Sequence, residues 1–167
     1  MDLALLFLRV TLAILMLGHG TQKLFGWFKG PGLQGEYKFL QSLRLRPVWV
    51  WMLLAIGSEV GGALLFALGF IHPLGALSFI ATMLMAAITF NWPRYWGNKG
   101  GIEYNLLYMI PAIVEGIAGP GKYSLDAALG ISLPEPVTFL AGLVLVVLTI
   151  GLCLVTRSPK VAVSTRE

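Results

Sequence analysis

Residues 3–25 read LALLFLRVTLAILMLGHGTQKLF, an apolar stretch interrupted chiefly by Arg9 and by a polar cluster near its end. As a helix rising 1.5 Å per residue it is about 34 Å long, enough to cross a hydrocarbon core of about 30 Å. A helix apolar on nearly every face is buried in a large protein or in lipid, and this chain is small. The stretch therefore predicts a membrane span. It follows Met1 and Asp2 without a basic leader or a small-residue cleavage site, so it reads as a retained span and not a signal peptide.

Four further stretches fit the same description: about Val48 to Phe70, Pro73 to Asn91, Ile102 to Ala118 and Val137 to Val155. The whole chain of 167 residues is 57% hydrophobic and only 12% charged, against about 25% charged in soluble domains. Its mean hydropathy is +0.80. So few charges cannot cover a water-facing surface. The expected fold is all-α, a polytopic transmembrane helical bundle forming one domain over residues 1–156, with a polar tail at 157–167. Gly26 to Pro47 is the longest connection and reads as a glycine-rich, basic loop.

The net charge of +4 and pI near 9.4 would suggest nucleic acid in a soluble protein. Here Lys23, Lys29, Lys38, Arg44, Arg46, Arg94, Lys99, Arg157, Lys160 and Arg166 fall on one side of a five-span topology, leaving Lys122 on the other. By the positive-inside rule this places the N-terminus outside and the C-terminus in the cytoplasm of the cell membrane. No basic stripe interleaves with aromatics, so nucleic-acid binding is not expected. Trp27, Trp49, Trp51, Trp92 and Trp96 all fall near expected interfaces, as anchors do.

Ionisable residues inside spans are costly and ask for partners. Arg9, His19, Gln22 and Lys23 belong to the first span, Glu59 to the second, and Glu103, Tyr104, Asn105 and Glu115 to the fourth, while polar Asn91 ends the third. Depth lets Arg9 reach Glu115, Glu59 or both. Glu59 falls near the midplane and Lys23 near the cytoplasmic end, where a snorkelling anchor is the favoured reading. One reading of these groups is an ion network that fixes helix packing. The other is a polar pocket for a quinone or similar lipophilic molecule, in which Glu59 exchanges protons, Arg9 orients it, and His19 with Gln22 contacts the carrier. Lys23, Glu103 and Tyr104 complete the carrier-binding set, and Glu115 joins Arg9 and Glu59 as a reactive group.

Metal and haem chemistry find little support. Cys153 is the only cysteine, so neither a dithiol nor a thiolate cage for zinc or iron–sulfur is available. His19 and His72 fall on opposite sides and cannot ligate one haem. The Gly30-Pro31-Gly32-Leu33-Gln34-Gly35 stretch fits a dinucleotide-binding spacing, but it follows a span and not a strand.

Several words of this sequence resemble the DoxX family. They are His19-Gly20-Thr21-Gln22-Lys23-Leu24-Phe25-Gly26, Gly30-Pro31-Gly32, Glu59-Val60-Gly61-Gly62, Gly100-Gly101-Ile102-Glu103-Tyr104, and Gly119-Pro120-Gly121-Lys122-Tyr123-Ser124-Leu125-Asp126. The resemblance spans about residues 3–130 and implies a four-helix membrane core with a fifth, C-terminal transmembrane helix outside the family pattern. It further implies a redox setting, with a protein partner supplying haem, copper or flavin. Two other readings stay open: a small-solute transporter, and a scaffold or assembly factor without a ligand. Lipid is the obligatory partner in all three, and a homo-oligomer is compatible with each.

Overall fold

The computed structural model describes residues 1–157; the expected polar tail beyond Arg157, with Lys160 and Arg166, lies outside them. The helices are α1 (Asp2–Phe25), α2 (Gly32–Ser42), α3 (Val48–Leu68), α4 (Leu74–Ala86, continued by a π-turn over Ala87–Asn91), α5 (Glu103–Ala118), α6 (Leu125–Leu129) and α7 (Val137–Val155). Four of them, α1, α3, α4 with its π-turn, and α7, are long and apolar enough to cross a membrane. Helix α5 has 16 residues, about 24 Å. The expected all-α bundle is what the chain forms, and α5, the expected fourth span, falls outside those four.

Neighbours in sequence pack as neighbours in space. Helix α1 lies on α3, α3 on α4, and α4 on α5, while α7 runs alongside α4. Glycine sets the closest approaches. A Cβ on Gly20 of α1 would sit 2.6 Å from Val60 Cγ2 of α3, and one on Gly75 of α4 would sit 2.6 Å from the Phe66 backbone. Helix α1 stops at Gly26, whose left-handed backbone (φ 72°) closes the helix as few other residues would.

Between these helices is a dry band. Ala13, Met16, Ala63, Phe66, Phe79, Ala112 and Phe139 are all at most 1% exposed, and the Phe66 and Phe79 rings stack at 4.6 Å. The outward faces carry exposed apolar residues, such as Val144, Leu148 and Leu152 on α7. Such a surface belongs against lipid, and the chain is a membrane protein.

One expectation needs correction. The Gly26–Pro47 connection is not simply a loop, because α2 occupies its middle. Glu36 and Leu40, four residues apart, form its buried side, while Leu33, Tyr37 and Phe39 are exposed. Gln34, Lys38 and Gln41 share the outer side with them, so α2 lies on the bundle with a mixed polar and apolar outer face and buries an acid beneath it.

Candidate functional site

The intramembrane charges form two groups. At one end Lys23 Nζ is 2.5 Å from Glu59 Oε1 and 3.7 Å from Glu36 Oε1. Glu59 is 2% exposed and Glu36 3%. Gly20 makes this possible, since its missing side chain lets α1 press against Glu59 and the Val60 side chain. Side chains on a helix lean toward its N-terminus. Lys23 therefore leans inward from the end of α1, toward the level of Glu59. The snorkelling reading is thereby overturned: reaching headgroups would require Lys23 to bend against that lean and to abandon two buried carboxylates.

At the other end Arg9 is fully buried. Its Nη2 donates to the Tyr123 carbonyl at 2.5 Å. A Cβ on Gly69 would collide with Arg9 Nη1, and Gly69 also has φ 58°. His72 Nδ1 lies 3.5 Å from Glu115 Oε1, and His72 Nε2 lies 3.9 Å from Glu135 Oε1. Asp126 accepts the backbone N–H groups of Ile71 and His72, both at 2.8 Å. Together these contacts dock the Gly119–Pro136 segment onto the α3–α4 turn.

Arg9 and Lys23 are 14 positions apart on one helix, about 21 Å. Arg9 therefore does not orient Glu59, and the single pocket joining them is replaced by two clusters with the dry band between. Glu115 belongs with Arg9 and His72.

A cavity of about 700 Å³ opens beside the first cluster. Its polar wall is His19, Lys23, Glu36, Glu59, Tyr104 and Tyr108, and α7 contributes Val146, Thr149 and Cys153. The His19 ring stands edge-on to Tyr108, centroids 6.2 Å apart. Ser58 and Thr82 share a 2.6 Å hydrogen bond on the same wall. Glu59 Oε2 is buried and has no protein partner. Gln22 and Glu103 are not part of the wall. Gln22 is packed against Gly30, and Glu103 accepts the Gly97 N–H at 2.7 Å, tying down the Trp92–Gly101 loop.

Burial pushes the Glu36 carboxyl above its ordinary range; Lys23 pulls it back, and Glu59 adds to the rise. Burial alone would depress the His72 imidazole, but its hydrogen bond and attraction to Glu115, with the attraction to Glu135, outweigh that and raise it. Among the described residues no group of three His, Cys, Asp or Glu side chains could hold a metal.

Asn105 also lines the cavity, as its place among the span-four candidates allowed, whereas Glu36 is a cavity residue that the sequence reading left out of the site. The apolar residues Leu40 and Leu43, four and seven positions after Glu36, are the helical signal that would have found it.

The family model described as DoxX matches residues 4–92, the stretch that holds α1 to α4 and the whole Lys23, Glu36 and Glu59 group. No curated protein and no solved structure matches the chain.

Proposed function

The chain belongs to the DoxX family, and from that premise we propose that it is the membrane subunit of a redox system, holding a quinone or similar lipophilic carrier in the cavity beside Glu59. The observation that carries this reading is the Glu59 carboxylate. It is nearly sealed from solvent, paired through Oε1 with Lys23, and left with an unpartnered Oε2 in the cavity wall. A buried acceptor without a donor costs about 1–3 kcal/mol. A bound hydroxyl or amide donor relieves that cost. The volume lies within the range of small-molecule sites, roughly 300–1,000 Å³, and most of the wall is apolar.

In this reading Glu59 accepts one of the two protons that the carrier's hydroxyls release on oxidation, and water at the open cavity mouth takes the other. Lys23 holds the carboxylate in place and links it to Glu36, which lies on the surface helix and passes the proton outward. His19 and Tyr104 border the carrier's ring. Electrons leave to a partner protein that supplies the redox centre. Arg9 and Glu115 are positioning residues that hold the far end of the bundle together. The N-terminus faces outward across the cell membrane and the basic end faces the cytoplasm, by the positive-inside rule. A solute pathway finds less support, because the packed band of Met16, Phe66 and Phe79 stands in its way.

The test is saturable binding of a short-chain benzoquinol to the purified full chain in lipid nanodiscs. Binding by the native chain and at least roughly tenfold weaker binding by Glu59→Gln is the expected result, given that a hydrogen bond to a charged group is worth about 1.5–3 kcal/mol. Absence of saturable binding by the native chain overturns the reading.

A further inference from the structure

A second, smaller recess of about 280 Å³ lies where α2 meets the first turn of α3. Its wall includes Tyr37, Gln41, Arg44, Arg46, Trp49 and, at its floor, the buried Leu45. Two arginines thus stand two positions apart on one rim. Neither pairs with a carboxylate among the described residues, where the ion pairs belong to Lys23 and His72.

The backbone adds to the positive field. Helix α3 begins after Pro47, with no side chain capping its first amides. The first turn of a helix of this length carries about half a positive charge. Unpaired guanidinium groups beside free helix amides are suited to phosphate, which arginine binds through paired hydrogen bonds.

The setting distinguishes a lipid from a free anion. The recess lies at the mouth of a membrane span, with Trp49 and Tyr37 exposed beside it, the arrangement of an interfacial aromatic belt. Leu53, one turn below Trp49 on the same side of α3, and Leu54 next to it are both more than half exposed. They offer an apolar track for an acyl chain directly beneath the recess. Two uncompensated positive charges also disfavour a choline or ethanolamine group.

We propose that this recess binds the phosphodiester of an anionic phospholipid, with Arg44 and Arg46 holding the phosphate and the outer face of α3 carrying a chain. The assignment is independent of what the larger cavity holds.

The test uses the full chain in mild detergent, with native mass spectrometry of retained lipid as the readout. Phosphatidylglycerol and phosphatidylcholine are offered in equal amounts. The native chain is expected to retain one phosphatidylglycerol in preference. The double variant Arg44→Gln/Arg46→Gln is expected to lose about fivefold in retention per arginine, roughly 25-fold together. Lys29→Gln/Lys38→Gln removes the same net charge from the same end of the molecule outside the recess, and is expected to retain the lipid as the native chain does. Equal loss in both double variants would reduce the effect to general surface charge and overturn the site. So would equal retention of the two lipids by the native chain. Displacement of the lipid by millimolar inorganic phosphate would overturn the lipid assignment in favour of a free anion. Circular dichroism and retention of α-helical content in each variant confirm that a lost lipid is not a lost fold.

Discussion

Lys23 Nζ sits 2.5 Å from Glu59 Oε1, so a cation from the last turn of α1 meets an acid from the middle of α3. The pair is asymmetric. The lysine side chain is 25% exposed and the glutamate 3%, so water can compensate the loss of one partner far better than the loss of the other.

That asymmetry orders the variants. Lys23→Met leaves Glu59 and Glu36 facing each other with no cation and is expected to cost about 3 kcal/mol, the lower end for breaking a buried pair. Glu59→Gln keeps shape and leaves Lys23 with Glu36, so it is expected to cost less. The double variant Lys23→Met/Glu59→Gln is expected to recover part of the lysine loss. Unfolding in detergent measures all three, and strictly additive losses would show that the contact carries no coupling.

Gly69, the residue that caps the end of α3, has no room for another atom. Its backbone is left-handed and the Arg9 guanidinium fills the space where a side chain would begin. Gly69→Ala is expected to lose at least about 2 kcal/mol, from conformational strain plus displacement of a buried charge. Gly61, by contrast, has nothing within 4 Å of a built Cβ and lies inside α3. Gly61→Ala is expected to raise stability by about 0.5–1 kcal/mol through helix propensity alone. Melting temperatures in one detergent give the comparison; a Gly69→Ala variant as stable as the native chain would remove the proposed role of this glycine.

His72 gives the fold a pH dependence of defined sign. Its imidazole is raised above the ordinary value by Glu115 and Glu135, against the effect of burial. The stabilising contribution is therefore fully present below the unfolded value of about 6.5 and fades as pH climbs through the raised folded value. The difference in melting temperature between the native chain and His72→Gln is expected to be largest near about pH 5.5 and smallest near about pH 8.5. A difference that grows with rising pH would contradict the ion-pair geometry.

Thr149 tests whether α7 bounds the cavity in solution. It lines the wall, and its hydroxyl is already spent on the Leu145 carbonyl at 2.8 Å. Thr149→Trp is expected to occupy part of the open cavity and weaken benzoquinol binding by roughly tenfold or more, since the indole takes space the ligand needs. The melting temperature is expected to move little. Unchanged binding would place the ligand away from α7.

The spans were readable because length and scarcity of charge leave few alternatives for a stretch such as residues 3–25. Burial of Arg9 followed from the same logic. Its grouping with Glu115 was within reach by depth, but its hydrogen bond to the Tyr123 carbonyl was not, because that contact depends on loop geometry and on the room left at Gly69, which no single sequence displays. Lys23 was misread for a local reason: its position near a helix end suggested an outward reach, while the lean of helix side chains points inward. Glu36 was hidden by the glycines of Gly30 to Gly35, which suggested a loop although α2 starts at Gly32. Asp126, buried against the Ile71 and His72 amides, gave no periodic signal at all, because α6 has only five residues.

The packed layer of Met16, Phe66 and Phe79 also acts as an electrical insulator. In an energised membrane the voltage falls mainly across such a poorly polarisable layer and not across the hydrated ends. Carrying one charge through the full field takes about 2.3 kcal/mol at 100 mV. A proton exchanged between Glu59 and the medium beyond Glu36 stays on one side of the insulator and crosses only a fraction of that field. Under the proposed function, proton transfer at this acid is set mainly by the pH of the compartment it faces, and the membrane potential adds only the part of that field between Glu59 and the Glu36 end of the bundle.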